Sequence, residues 1–250
     1  MPLNQEQIAS FKNDGFLRIN DFYDESTRDR WKSQIWDRAG TRLETLAEAP
    51  PIPNALNGFA FDAATEPAQY PPLLEIAAQL GGGQFGRGPD DHGGGGAPIV
   101  KWPRPEEPWQ MPAAGHIDGY PPPDGWAPFM LGATTYLYDV ESHGGSFVYW
   151  PGSHKSTHAY LLRNPSEVDG SFRQAGKGSI FTDQAEAAPE EFTAKAGDLL
   201  LWHSYTCHSG SPNSRPSPRF AVVVRFSHIR TPELEFRSEV PEDLWKYWAI

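Results

Sequence analysis

The chain has almost no cysteine, and that absence narrows its chemistry. Cys207 is the single cysteine among 250 residues, so neither a disulfide framework nor a cysteine zinc cluster can be built. Basic residues are also scarce. The 21 Lys and Arg stand against 32 Asp and Glu, giving a formal charge of −11 and a pI near 5.1. A nucleic-acid or anionic-membrane partner demands a basic face, so a small-molecule partner is expected instead. No apolar run has the length of a membrane span, and the opening "MPLNQEQIAS" is polar rather than signal-like, which predicts a cytoplasmic protein.

Aromatic bulk and turn residues are plentiful. The 14 Phe, 9 Trp and 9 Tyr can fill a sizeable core, while 25 Pro and 24 Gly cut the chain into short elements, which favours a β-rich fold over a helical bundle. A single domain over residues 1–250 is expected. The first 80 residues carry helical patterns. In "NQEQIASFKNDGF" Ile8 and Phe11 share a face and Gly15 can stop the helix, after which "FLRIN" alternates like a strand. A second helix is predicted through "DESTRDRWKSQIWDRAGTRLETLAE", capped by Asp24 or Ser26, with Trp31, Ile35, Leu43 and Leu46 as its apolar stripe. A third is predicted in "PPLLEIAAQL".

Residues 81–97 form a glycine-rich stretch containing G-x-G-x-x-G at Gly81, Gly83 and Gly86. That motif binds dinucleotides only between a strand and a helix, and here it follows a helical pattern, so a surface loop is expected. From residue 98 short β-branched and aromatic runs take over: "PIVKW", "FMLGATTYLYDV", "GSFVYWPGSH", "GSIFT", "GDLLLWHSY" and "RFAVVVRFSHI". At least six strands preceded by helices predict a mainly β, α+β fold, a sandwich or jelly roll with the N-terminal helices packed on one sheet.

His116 and Asp118 sit two apart in "PAAGHIDGYPPP". An extended backbone projects residues i and i+2 to one side, so this H-x-D triplet aims an imidazole and a carboxylate at one point. A third ligand must come from elsewhere, and His143, His154, His158, His203, His208 and His228 are the candidates. Zinc in a hydrolase could use such a set, as could non-haem iron.

"GDLLLWHSYTCHSGSPNSRPSPRFAVVVRF" narrows the choice. The H-x-D triplet, the "PGSH" turn, "GDLLLWH" and a distal histidine with an arginine downstream together resemble the phytanoyl-CoA dioxygenase family of Fe(II)- and 2-oxoglutarate-dependent oxygenases. The N-terminal "FKNDGFLRINDFYD" resembles that family's opening as well. The resemblance implies a double-stranded β-helix (cupin-like jelly roll) and a metal held by His116, Asp118 and His208, since Arg219 follows His208 by 11 positions (219 − 208), the family's spacing. It implies 2-oxoglutarate as cosubstrate, O₂ as oxidant, and hydroxylation or related oxidation of an unactivated C–H bond with release of succinate and CO₂. Because Asp118 is present, hydroxylation rather than halogenation is expected.

The resemblance also assigns the far carboxylate of the cosubstrate to Arg219, whose guanidinium can grip it with two parallel hydrogen bonds. Thr134 falls where relatives carry a second anchor. Lys101 falls near a basic residue that some relatives place over the cosubstrate. Tyr120, Trp126, Tyr136, Tyr138 and Trp150 are candidates to line a pocket for a partly apolar metabolite. Ile117 stands where relatives often carry glutamine, and "HSGSPN" replaces the commoner order of small residues, which bears on any serine contact. "PGSH" reads as a structural turn that places His154 behind the ligands, and Cys207 should point into the core. A jelly-roll binding protein without turnover is the alternative, though it need not retain His116, Asp118, His208 and Arg219 together.

Overall fold

Helix α1 (Gln5–Asp14) starts where the Asn4 side chain accepts from the Gln7 N–H and the Gln7 side chain accepts from the Asn4 N–H, a capping box. It stops at Gly15, whose φ of 78° is left-handed. Strand β1 (Phe16–Ile19) follows. Helix α2 (Glu25–Ala39) is capped by the Asp24 carboxylate and ends at Gly40, φ 68°. The predicted extension through Leu43 and Leu46 therefore fails: a left-handed glycine breaks the ladder, and Leu43–Thr45 form only a 3₁₀ turn. Helix α3 (Pro71–Gly81) uses proline in its first turn and buries Leu73, Ile76, Ala77 and Leu80. The structure, a computed structural model, describes residues 2–46, 48, 56, 58–86, 96–118, 129–167, 180–231 and 240–250.

Two antiparallel sheets face one another, as a jelly roll requires. Six strands make the larger: β1, β7 (Leu199–His203), β4 (Leu131–Tyr136), β9 (Arg219–His228) and β2 (Phe85–Gly86) in that order, with β3 (Ala97–Lys101) also paired to β9. The smaller has the order β6 (Glu190–Phe192), β5 (Phe147–Tyr149), β8 (His208–Gly210). Alternation then sorts side chains into layers. Leu199, Leu201, Phe220, Val222, Val224 and Phe226 face α1 to α3, packing on Phe11, Trp31, Ile35 and Leu80. Leu200, Trp202, Ala221 and Val223 face Tyr149 and Phe192 of the other sheet. Helices α4 (Ser153–Arg163) and α5 (Ile180–Asp183) cover the outer side of the small sheet, over Val148, Trp150 and Cys207.

Two local expectations are corrected here. "GSIFT" reads as a strand, yet Ile180–Asp183 is helical because Phe181 is buried edge-on to Tyr160 of α4. "PGSH" is not an isolated turn but the entry to α4. In the glycine-rich stretch, Gly81 ends a helix and Gly86 lies in a strand, the reverse of the dinucleotide arrangement, and residues 87–95 lie outside the described residues. Among the described residues no helix is long and apolar enough to cross a membrane.

Behind the large sheet two histidines are buried as neutral rings. His154 donates from Nε2 to the Lys12 carbonyl, 3.1 Å, and burial pushes its pKa down to about 4. His203 stacks on Trp248, 5.2 Å between ring centres, and burial holds its pKa well below the usual value, helped by the nearby His154 and His158. Unfolding releases both rings to take up protons near pH 6.5, so the unfolded state binds more protons than the folded one as pH falls below that value. We expect the metal-free protein to lose about 1.4 kcal/mol of stability per pH unit for each such ring as pH falls below about 6.5, the His154 share ending near its folded value of about 4. His154→Gln, which keeps a donor for the Lys12 carbonyl, should remove one ring's share of that slope in denaturant unfolding followed across this range. An unchanged slope would place the acid sensitivity elsewhere.

Candidate metal centre

A pair of backbone hydrogen bonds brings the H-x-D triplet to the small sheet. His116 N–H donates to the His208 carbonyl and His208 N–H to the His116 carbonyl, both 2.8 Å, so His116 extends the sheet beyond β8. The segment leading in is held by Thr182 of α5, whose hydroxyl accepts from the Gly115 N–H at 2.7 Å. Gly115 fits because a Cβ there would lie 2.6 Å from the Trp150 ring and 2.7 Å from Cys207 Sγ. Alternation then sends Ile117 into the core, 1% exposed, while His116 and Asp118 face the space between the sheets.

His208 Nδ1 donates to the Thr206 carbonyl at 3.0 Å, which leaves the Nε2 lone pair for a metal. Its ring is clamped between Phe147, stacked at 5.0 Å, and Trp202 at 4.7 Å. Trp202 is itself fixed by donating from Nε1 to the Thr134 hydroxyl, 3.0 Å, and it lies flat on Gly132, where a Cβ would sit 2.1 Å from the indole. Asp118 Oδ1 is 3.5 Å from His116 Nε2, and Asp118 Oδ2 is 3.5 Å from His208 Nε2. The ligand atoms of the three residues lie within 4.8 Å of one another. That spacing is long for hydrogen bonds and suits donors about 2.1 Å from one shared ion. Burial works to raise the Asp118 pKa, but the Arg225 guanidinium, together with the His208 and His116 rings whenever these carry a proton, outweighs it and holds the carboxyl well below the usual range. The donor set of two neutral imidazoles and one carboxylate matches a divalent transition metal with open positions.

Arg219 lies on the inner face of β9, 4% exposed. Its Nε donates to the Gly145 carbonyl at 2.7 Å and its Nη1 to the Ile99 carbonyl at 2.9 Å, while Nη2 has no hydrogen-bond partner among the described residues. Lys101 is its register partner on β3. A Cβ on Gly210 would lie 3.7 Å from Lys101 Nζ and 4.0 Å from Arg219 Nη2, so both cations converge on that glycine. Burial and the charges of Arg219 and Arg104 push the Lys101 pKa down. Lys101 and Gly210 also line a cavity of about 930 Å³ with Trp102 and Asn213; among the described residues its lining includes neither Arg219 nor the metal ligands. The serines of "HSGSPN" turn elsewhere: Ser211 is within hydrogen-bond distance of Ser146, 3.2 Å between hydroxyl oxygens.

Other expectations move. Thr134 is on the inner face but wholly buried, with its oxygen taken by Trp202. Tyr136 is core, its hydroxyl accepting from the Phe147 N–H at 2.7 Å. Tyr138 lies beyond the end of β4, where the chain has left the sheet, and packs on the helices, accepting from Trp36 Nε1; Trp150 follows the outward parity of Val148 and packs behind the small sheet, so neither meets the site. Tyr120 and Trp126 lie outside the described residues. His203 and His154 are across the large sheet from the triad, so neither can stand in for His208. Arg225 also lies inside: its Nη2 donates to Asp118 Oδ2 at 2.8 Å. Its even separation from the inward Arg219 is the sequence signal that marks it.

A double-sheet jelly roll that gathers two histidines and a carboxylate between its sheets defines an oxygenase-type scaffold of the non-haem class. The family model for phytanoyl-CoA dioxygenase (PhyH) matches residues 98–221, so this region of the chain is PhyH-like. No curated protein matches the sequence. Among solved structures, the chain is similar to the non-heme alpha-ketoglutarate-dependent carbocyclase SnoK from nogalamycin biosynthesis, at 16% identity and TM-score 0.58, covering 97% of this chain and 95% of that one. It is also similar to HygX from Streptomyces hygroscopicus with nickel and 2-oxoglutarate bound, at 18% identity and TM-score 0.53, covering 90% and 87%. The epimerase SnoN in complex with Fe3+, alpha-ketoglutarate and nogalamycin RO matches at 20% identity and TM-score 0.55, covering 95% and 90%. At these identities the likeness speaks for the fold.

Substitution separates the two histidines of this region. His208→Ala should lower Fe(II) or Co(II) affinity at least tenfold with little change in thermal stability, whereas His203→Ala should lower stability and leave metal affinity near wild type. The reverse pattern in a calorimetric metal titration would overturn the choice of His208.

Proposed function

We propose that this protein is an Fe(II)- and 2-oxoglutarate-dependent oxygenase that oxidises an unactivated C–H bond of a small-molecule substrate, releasing succinate and CO₂. The observation that carries the reading is the alignment of two subsites along one strand. His208 and Gly210 point to the same side of β8, two residues or about 6.8 Å apart; the metal donors gather at the first and the two cations at the second. A five-carbon keto diacid has its keto acid end and its far carboxylate at that kind of separation. A zinc hydrolase would use the triad but gives the Lys101–Arg219 pair no anion to bind.

In this reading His116, Asp118 and His208 hold the metal on one face. His208 presents Nε2 because its other nitrogen is committed to Thr206. Arg219 and Lys101 hold the far carboxylate, Arg219 through the N–H groups that its bonds to Gly145 and Ile99 leave over. When bound, the iron and cosubstrate supply the oxidative decarboxylation that provides the oxidant for the C–H bond. Asp118 occupies the position a halide would need, which favours hydroxylation over halogenation. SnoK and SnoN carry the names carbocyclase and epimerase, and ring closure and epimerisation can start from the same loss of a hydrogen from carbon. Product analysis therefore distinguishes hydroxylation from these.

Anaerobic titration of the Fe(II) protein with 2-oxoglutarate should develop the weak visible charge-transfer band of the chelate, and a metabolite screen should then find a compound that stimulates succinate release. A protein that binds Fe(II) but shows no band would sink the reading. Arg219→Ala should weaken 2-oxoglutarate binding by about 100-fold or more, since an unpaired buried carboxylate costs about 3–5 kcal/mol. Lys101→Ala should weaken it less, and neither should alter Fe(II) affinity measured without cosubstrate. Unaltered 2-oxoglutarate affinity in both variants would remove the basic pair from the site.

A further inference from the structure

Arg225 stands apart from the other inward cations because its target is not a space but a ligand. It occupies the inner face of β9, six residues along the strand from Arg219, and pairs in register with Gly132 of β4. Its guanidinium lies over the Phe129 ring, 5.5 Å to the centroid, with the side chain 18% exposed. From there Nη2 donates to Asp118 Oδ2 at 2.8 Å, a charge-assisted bond of ordinary strong length. Both oxygens stand 3.5 Å from a ligand nitrogen, Oδ1 from His116 Nε2 and Oδ2 from His208 Nε2, and only Oδ2 also carries the guanidinium.

We propose that Arg225 is a positioning residue that keeps Asp118 a one-oxygen ligand of the metal, a role that rests on the metal reading above. Six positions surround an octahedral ion, and His116, His208 and one oxygen of Asp118 leave three. A chelating keto acid takes two of these and O₂ needs the last. A carboxylate free to turn and bind through both oxygens removes one, so the cosubstrate or the oxidant is crowded out. Short carboxylates readily bind metals in either manner, and in this site nothing about Asp118 itself selects one. The guanidinium does, because it is always charged and its planar N–H groups fix the direction from which Oδ2 is held. Phe129 and the strand hold the guanidinium in turn. Lysine at this position would offer a point charge without that directionality.

The test uses the intact chain loaded with Co(II), whose d–d absorption reports coordination number without turnover, and follows it with 2-oxoglutarate titration of the Fe(II) form. The wild type should bind one ion and give a cosubstrate band. Arg225→Gln should still bind Co(II) within about tenfold of wild type but with an altered d–d spectrum, and its 2-oxoglutarate affinity should fall about 10- to 100-fold. Arg225→Lys, which keeps the charge and is the safer variant for folding, should show the same spectral change in part and a smaller loss. Thermal melting of each variant identifies any loss that is merely structural. A wild-type spectrum together with wild-type cosubstrate affinity in both variants would overturn the proposal. So would complete loss of Co(II) in folded Arg225→Gln, which would make the arginine a requirement for affinity and not for geometry. If the wild type itself binds neither Fe(II) nor Co(II), the metal reading fails instead, before any variant is compared.

Discussion

The two-residue period of strand β9 is the constraint on which this molecule depends. Phe220, Val222, Val224 and Phe226 go into the layer beneath the helices, and Arg219, Ala221, Val223 and Arg225 go between the sheets. A slip of one residue in register would drive two guanidiniums into an aromatic core and turn four apolar side chains onto the site. β9 is held against such a slip by β4 on one side and by β3 and β2 on the other. The burial of Arg219 is tolerable only in this register, where the carbonyls of Gly145 and Ile99 receive its N–H groups.

Charge is distributed against the average. The chain carries a formal −11, yet Lys101, Arg219 and Arg225 all face inward, and among the described residues only Arg225 of the three meets a carboxylate, that of Asp118. Acidic side chains support this arrangement from outside rather than neutralising it. Glu191 accepts from the His143 N–H and the Ser146 hydroxyl, pinning the loop whose Gly145 carbonyl holds Arg219. The inside is thus prepared for anions while the outside remains acidic.

How much of this was legible in the sequence follows from how local each cause is. The capping of α1 and α2 and the β-rich second half were readable because caps and alternation act within a few residues. His116 and Asp118 were readable as a pair for the same reason. The choice of His208 over His203 needed the spacing to Arg219, and its physical cause is that the two histidines face opposite sides of the large sheet. What could not be read depended on distant neighbours. The helical turn at Phe181 is imposed by Tyr160, and Tyr138 and Trp150 look like pocket aromatics until the end of β4 and the parity of β5 are known. Arg225 was legible in principle, by counting in twos from Arg219, and was missed because a lone arginine on a strand suggests a solvated face.

Gly132 has a consequence for how such a protein can diverge. It lies on the inner face of β4 under the Trp202 indole, which in turn braces the His208 ring. Any larger residue at 132 displaces that indole, and the displacement is passed to a ring that must keep its aim. The His116 side chain, by contrast, is 46% exposed. The floor of the sheet has no such freedom. Position 132 is closed to any side chain through lack of volume, and the reason lies in the aim of a ring two contacts away.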